Sequence, residues 1–313
     1  MPDWKILITD GLEENGLAIL RASAHVNDQT GILPEELTKI IGKYEALIVR
    51  SRTKVSAGVF NSAAQLKVVG RAGVGIDNID LAAANLHSVI VVNTPLATSR
   101  AVAEHTLALL FSLARAIPSA DAGLKSSLWL KQDLLGVEIE GKVLGVIGMG
   151  NIGSAVCHKA TAMGMIVLGY DSLISVDEIR RRGAEPVTLQ ELYGRSDFIS
   201  LHVPLNPETR SMINGHTLSS MKRGVRLVCT ARGGVIDETA LLGALESGQV
   251  AGAALDVFAK EPPGMSALVT HRHVVATPHI GAQTAEAQAR AAEDIATEVL
   301  AALRGEPLRW RIV

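Results

Sequence analysis

The chain has 313 residues, 48% of them hydrophobic and 20% charged, with a formal net charge of −2. That length favours two domains with substantial cores, and so weak a charge argues against nucleic acid as the main partner. Two cysteines, Cys157 and Cys229, make no disulfide framework and fit a reducing, cytoplasmic setting.

Met1-Pro2-Asp3-Trp4-Lys5 runs straight into an apolar strand, so no signal peptide is expected. Residues 5–95 alternate strand and helix. Strands are expected at Lys5–Asp10, Ala46–Val49, Leu66–Val69 and Val89–Val92. Helices are expected at Leu12–Ala22, from Pro34 onward, and at Asp77–Leu86. Near-continuous apolar strands between helices indicate a parallel sheet covered on both faces. In such sheets the carboxyl ends of the strands face the ligand crevice. Arg50, Arg52 and Arg71 stand at such ends, where a substrate anion can be held. Arg71 leads, because Gly70, Gly73 and Gly75 around it mark a loop built for close backbone approach.

A long helix is expected over 98–115. Its apolar stretch, Ala101 to Ala114, is broken by Glu104 and His105. It is too short for a bilayer, which needs about 20 residues, and reads as a buried or subunit-contacting helix. A second domain follows. Val143 to Ile147 is a strand, Gly148-Met149-Gly150-Asn151-Ile152-Gly153 a turn, Ser154 to Gly164 a helix, and Ile166 to Tyr170 a strand ending at Asp171. Gly148 permits the tight turn, Gly150 lets the backbone approach a pyrophosphate, and Gly153 lets helix and strand pack closely. The helix start offers N–H groups and a positive dipole end to that pyrophosphate. Asp171, eighteen residues after Gly153, is placed to accept from an adenosine ribose. Its charge would repel a 2′-phosphate, and Ser172-Leu173 supplies no arginine, so NAD is expected rather than NADP. The run Arg180-Arg181-Arg182 reads as a solvated helical face.

Further on, Thr188 and Glu191 form a capping box. Strands are expected at Phe198–Val203, Val225–Cys229, Gly252–Leu255 and Val274–Ala276. Asp237 is placed to cap a helix over Glu238–Glu246 that stops at Gly248. An Ala-rich helix over 284–303 ends at Gly305 and Pro307. It is expected to return with its tail to the first domain. The architecture expected is α/β: two doubly wound parallel-sheet domains, a Rossmann NAD-binding domain (98–284) inserted in a flavodoxin-like substrate domain (1–97 and 285–313). The chain would cross between them twice, giving a hinge and a cleft.

Nicotinamide chemistry on an alcohol needs a base for the hydroxyl proton, a cation for the carboxylate or carbonyl oxygen, and a group that tunes the base. Arg232, Glu261 and His279 lie beyond strand ends and meet that list. A guanidinium grips a carboxylate with two parallel bonds, imidazole titrates near neutral pH, and a nearby carboxylate favours its protonated form. His271 and His273 flank Arg272 with no third ligand near in sequence, so no metal site is expected there. Cys229 reads as a small buried residue rather than a nucleophile. His202 either reaches the adenine side of a cofactor or is a strand-end histidine without a role.

Three stretches carry a family resemblance: Thr230-Ala231-Arg232-Gly233-Gly234-Val235-Ile236-Asp237-Glu238, Ala253 to Phe258 with Glu261-Pro262-Pro263, and Pro278-His279-Ile280-Gly281-Ala282. They resemble the signatures of the D-isomer-specific 2-hydroxyacid dehydrogenases. Val69 to Asn78 is similar to the substrate loop of that family's phosphoglycerate branch, to which the chain is most alike, over about residues 5 to 305. The resemblance implies that Arg232 binds the substrate carboxylate, that His279 is the general acid/base and that Glu261 is its partner. It implies Asp256 at the nicotinamide amide, Asn151 and Ile152 at the pyrophosphate, and Asp171 at the ribose. Val203, Thr230 and Ala231 would line the cofactor groove, with Gly281 and Ala282 beside the nicotinamide. Arg50 and Arg71, with the Gly73-Val74 backbone, match contacts to an anionic substrate. The chain stops before the regulatory domains that some members carry, so serine feedback is not expected.

Three departures bear on the substrate and cofactor sides. Where the phosphoglycerate branch often has Asn-Thr-Pro-x-Gly-Asn-Ser, this chain reads Asn93-Thr94-Pro95-Leu96-Ala97-Thr98-Ser99, then Arg100. Cys229 stands where Asn is frequent, and Lys131 where an Arg commonly follows the tryptophan matched by Trp129. Arg52 and Arg100 add positive charge. The implied acid is 3-phosphoglycerate with phosphohydroxypyruvate, as in serine biosynthesis. Glyoxylate, hydroxypyruvate or a sulfonated hydroxy acid are the alternatives, and a non-catalytic NAD-sensing protein on the same fold is a further one. A homodimer through the helix at 101–114 is expected.

Overall fold

The computed structural model describes residues 4–313, so the first three residues of the expected amino-terminal run lie outside the described residues. The chain divides into two compact units, Met1–Ser99 with Ala282–Val313, and Arg100–Gly281.

The first unit opens with β1 (Lys5–Ile8), α1 (Glu14–Arg21), β2 (His25–Asp28) and α2 (Pro34–Ile40). It continues with β3 (Ala46–Val49), α3 (Ala57–Ser62), β4 (Val68–Arg71), α4 (Leu81–Leu86) and β5 (Ile90–Asn93). Its five strands are all parallel, in the order β2-β1-β3-β4-β5, which is the flavodoxin-like order. β3 is buried at every position, as a strand covered on both faces must be. β2 was not expected, because His25-Val26-Asn27-Asp28 lacks that apolar run; it is one edge of the sheet, paired with β1 alone among the described residues. The helix expected from Asp77 starts instead at Leu81. Asp80 is its cap, accepting from the Ala83 N–H at 2.9 Å, and Ile79 is held in a bridge with Val55.

The second unit holds α5 (Ser99–Arg115), α6 (Ile117–Lys125), β6 (Val143–Ile147), α7 (Asn151–Ala162) and β7 (Ile166–Tyr170). Then come α8 (Val176–Arg181), β8 (Glu185–Pro186), α9 (Leu189–Arg195), β9 (Phe198–Leu201) and α10 (Gly215–Ser220). β10 (Val225–Cys229), α11 (Glu238–Glu246), β11 (Val250–Leu255) and β12 (Val274–Ala276) complete it. Its sheet runs β12-β11-β10-β9-β6-β7-β8, all parallel. Counted from β6, this is the Rossmann order 3-2-1-4-5-6 with one strand added. The strand order reverses beside β6, so ligands are expected past its carboxyl end. One core, including Leu110, Val146, Met149, Val156 and Phe198, lies on one face of the sheet. Ile147, Ile199, Leu201, Leu227 and Leu241 belong to the other.

The chain ends in α12 (Ala285–Arg304), capped by the Thr284 side chain on the Ala287 N–H and stopped by Gly305 in the left-handed region at φ 71°. Ile295, Ala296, Val299 and Leu300 pack with Ile8, Ile48 and Val68 of the first sheet, and Arg311 bridges Val92 antiparallel. No single helix among the described residues is long and apolar enough to cross a membrane.

Candidate active site

The turn after β6 is built by three glycines with different duties. Gly148 sits at φ 92°, and a Cβ there would lie 2.5 Å from the His202 carbonyl oxygen. A Cβ at Gly153 would meet the Gly148 carbonyl oxygen at 2.0 Å, so α7 and the turn touch backbone to backbone. At Gly150 a Cβ would meet nothing within 4 Å. Gly150 is also the N-cap of α7, and no side chain caps that helix. The N–H groups of Asn151 and Ile152 thus have no side-chain cap among the described residues, at the positive end of a twelve-residue helix. A pyrophosphate fits this cradle.

Asp171 closes β7. Its Oδ2 accepts from the Met149 N–H and its Oδ1 from the Leu173 N–H, both at 2.8 Å. Each oxygen keeps a lone pair for a ribose hydroxyl. Of the three arginines read as a solvated face, Arg180 and Arg181 do pair with Asp177 and Glu178 on exposed side chains. Arg182 differs. It donates to the Met149 carbonyl and bonds Glu178 Oε1 at 2.7 Å, bracing the glycine turn from outside. It sits one residue past the end of α8, and only that turn's position gives it this role.

Around the ends of β10 and β11, Thr230 Oγ1 lies 2.9 Å from Thr106 Oγ1, and Val203 lines the back of the Gly148 turn. The Ala231 carbonyl accepts from Arg232 Nη1 at 2.7 Å. Asp256 is 1% exposed. Its Oδ1 accepts from Thr277 Oγ1 at 2.6 Å and from the Ile280 N–H at 2.9 Å, and Oδ2 from the Gly281 N–H at 2.8 Å. His105 Nε2 stands 3.3 Å from Oδ1. Burial pushes the Asp256 pKa up, but the bonds from His105, Thr277, Ile280 and Gly281 together prevail and hold it below the usual carboxylate range. Three donors crowd Oδ1 and one meets Oδ2, which leaves acceptor capacity on Oδ2 for an amide N–H. Sequence reasoning missed His105 as part of this group. Its signal was the Glu104-His105 interruption of an otherwise apolar helix.

Glu261 and His279, 18 residues apart, come together: His279 Nδ1 lies 2.9 Å from Glu261 Oε2. Glu261 Oε1 accepts from the Phe258 N–H at 3.1 Å, which fixes the carboxylate. His279 has φ 53°, a left-handed conformation costly for a residue with a Cβ. Such strain persists only where surrounding structure enforces it, and it gathers at functional sites. The Cys229 thiol is pushed up to about 11 by burial, which excludes a thiolate nucleophile at neutral pH. His202 bonds Ser200 Oγ through Nε2 at 2.7 Å, and burial holds its pKa at about 3, so the imidazole is neutral at pH 7, with its buried Nδ1 unpartnered among the described residues.

In the first unit, Arg71 ends β4 and donates to the Ala72 carbonyl at 3.2 Å. Gly73 and Val74 are tied to the end of β5, through Thr94 N–H to the Gly73 carbonyl at 3.1 Å and Asn93 Nδ2 to the Val74 carbonyl at 2.8 Å. The Arg50 backbone is held by Asp10 Oδ2 at 2.7 Å and by Asn78 Nδ2 at 2.8 Å. The positive charge expected from Arg52 is already met: it pairs with the buried Asp10 at 3.0 Å and donates to the Thr9 carbonyl. Ala282 opens the second segment of this unit, and its carbonyl accepts from Gln288 Nε2 at 2.7 Å.

A glycine turn opening an uncapped helix, an acid closing the next strand, and a carboxylate–imidazole pair past the later strands define a dinucleotide-binding α/β protein. Residues 107–281 match the family model of the D-isomer specific 2-hydroxyacid dehydrogenase NAD binding domain. The chain is 45% identical over 305 residues to a D-3-phosphoglycerate dehydrogenase of Synechocystis, covering 97% of this chain and 55% of that one. Among solved structures, the TT0316 protein of Thermus thermophilus is similar at TM-score 0.90 and 35% identity, covering 99% of this chain and all of its own. A glyoxylate reductase from Paecilomyes thermophila is similar at TM-score 0.91 and 28% identity, covering 100% of this chain and 99% of its own. The chain belongs to the D-isomer specific 2-hydroxyacid dehydrogenases and carries that family's NAD-binding domain. It spans about half the length of the curated relatives it matches.

Proposed function

We propose that this protein is an NAD-dependent dehydrogenase that interconverts a D-2-hydroxy acid and its 2-keto acid, with 3-phosphoglycerate and phosphohydroxypyruvate as the pair, in the cytoplasm. The observation that carries the reading is the 2.9 Å contact between His279 Nδ1 and Glu261 Oε2. With Nδ1–H donated to Glu261, the lone pair of Nε2 is free to take the substrate hydroxyl proton. Arg232 grips the substrate carboxylate and stabilises the charge that gathers on the oxygen as the carbonyl forms. Bound NAD supplies the acceptor for the hydride that leaves C2. Asp256 orients the nicotinamide amide, Asp171 the ribose, and the uncapped N–H groups of Asn151 and Ile152 the pyrophosphate. Val203, Thr230, Ala231, Gly281 and Ala282 line the cofactor. Arg50 and Arg71, with the Gly73 and Val74 backbone, are the contacts to the acid's distal anionic group. The similarity to a D-3-phosphoglycerate dehydrogenase supports that choice of acid.

We also assign a homodimer, on the exposed apolar groups Phe111, Ile117 and Leu124 that line one groove along α5 and α6. Faces of that kind on a soluble protein mark interaction sites. Sedimentation as a monomer at micromolar concentration overturns the dimer.

The test of the activity is NADH consumption with phosphohydroxypyruvate, hydroxypyruvate, glyoxylate, sulfopyruvate and 2-oxoglutarate. Turnover is expected to be fastest with phosphohydroxypyruvate and to fall about 10²–10⁴-fold in His279→Ala, with NADH affinity nearly unchanged. NADH binding without turnover of any acid overturns the enzyme reading. Preference for another acid overturns only the choice of substrate.

A further inference from the structure

At the amino ends of β6, β9 and β10, the NAD-binding unit has a cleft of about 130 Å³ lined by Lys142, Asp197, Lys222, Arg223 and Arg226 among others. β6 separates it from the glycine turn by five residues, roughly 15 Å at the usual strand rise. Four cations line it against one carboxylate. That carboxylate is already occupied: Asp197 Oδ1 takes Lys222 Nζ at 2.6 Å and Oδ2 takes the Val143 N–H at 2.9 Å. Arg223 donates to the Ser247 carbonyl at 3.1 Å, a neutral acceptor that leaves its charge unbalanced. Arg226 lies 5.6 Å from the centroid of the fully buried Phe198 ring, and its guanidinium has no hydrogen-bond or ion-pair partner among the described residues.

One further group, His273, registers the same positive field, and burial acts on Arg226 itself. Burial depresses the Arg226 pKa, with only Asp197 opposing it. The His273 pKa is lowered by burial and then by Arg272, His271 and Arg226. Arg226 is half-buried, and a guanidinium with no protein acceptor has its donors to offer a ligand. Its planar fork matches the oxygens of a phosphoryl group, and it stands over the Phe198 ring. The cleft holds the volume of about four waters, room for one tetrahedral anion.

We propose that this cleft binds a phosphoryl group, as inorganic phosphate or at the end of a small phosphomonoester, with Arg226 as the fork and Lys142 and Arg223 as flanking charges. The site is independent of the proposed dehydrogenase activity. The test is nuclear magnetic resonance of isotope-labelled protein saturated with NADH, which fills the other anion cradle. Inorganic phosphate is titrated at constant ionic strength in one arm and glycerol phosphate in the other. The amide signals of Gly224, Val225 and Arg226 are expected to shift saturably. The apparent affinity is expected to fall at least tenfold in Arg226→Gln, with NADH affinity unchanged. Tighter binding of the ester assigns the site to a phosphorylated metabolite, and equal or tighter binding of the free ion assigns it to phosphate itself. Absent or unsaturable shifts, or shifts of equal affinity in Arg226→Gln, overturn the proposal. Should that variant fail to fold, the double variant Lys142→Gln with Arg223→Gln is read against the same tenfold criterion.

Discussion

Two glycine-rich loops follow parallel strands in this molecule, one after β6 and one after β4, and they use glycine for opposite ends. After β4, a Cβ at Gly73 would lie 1.6 Å from Arg71 Nη1, and Gly73 sits at φ 137°. That loop closes around its own arginine. After β6, Gly148 and Gly153 fit backbone against backbone, while Gly150 faces empty space. Glycine spacing reads alike in both. What separates them is whether the room that glycine leaves is filled by the protein or left open for something else.

The largest way to break the comparison is Gly153→Ala. The added Cβ would stand 2.0 Å from a carbonyl oxygen of the main chain, which cannot swing aside, so a loss of about 3 kcal/mol or more is expected by urea unfolding. A loss below about 1 kcal/mol would show that the turn is not backbone-packed.

His202, whose carbonyl backs Gly148, sharpens the comparison through pH. Its pKa is lowered by burial from 6.5 to about 3. Between those values the unfolded chain binds a proton that the folded chain refuses, so stability falls as pH falls. From pH 6.5 to 4.5 the wild type should lose about 2 kcal/mol more than His202→Gln. Parallel stability curves would mean that the imidazole titrates freely in the folded state.

Gly73→Ala carries a smaller cost. The obstacle is the tip of a flexible side chain, and the strain of the positive φ accounts for about 1–2 kcal/mol. Because Arg71 must move, KM for the keto acid should rise several-fold with kcat nearly unchanged. A kcat effect alone would remove Arg71 from substrate binding. Gly150→Ala is the mildest. Its φ of −67° suits any residue, so stability should stay within about 0.5 kcal/mol, while NADH binding weakens about tenfold. Unchanged NADH affinity would show that the open space is not the pyrophosphate's.

Features that depend on a few neighbouring residues were legible in the sequence. The Thr188–Glu191 capping box, the Asp237 cap and the Gly305 stop are all present, because a cap joins groups three or four residues apart. The parallel α/β class was legible too, since strands covered on both faces are apolar throughout. Other elements went unread: α3, α6 directly after Arg115, α10 in spite of its Asn214 cap, the polar edge strand β2 and the two-residue β8.

By itself, then, the sequence determined the class of fold and the strand–turn–helix of a dinucleotide-binding domain, and it singled out Arg232, Glu261 and His279 as candidates for the chemistry. Only the tertiary structure decided which groups meet. It joined His105 to Asp256 across 151 positions, tied Arg182 to the glycine turn, and neutralised Arg52 with Asp10. It also left the Arg226 guanidinium over the Phe198 ring, without an acceptor among the described residues. The reason is physical. Backbone conformation and caps are set by near neighbours along the chain, whereas the partner of a charge is set by which strand ends the sheet order brings side by side.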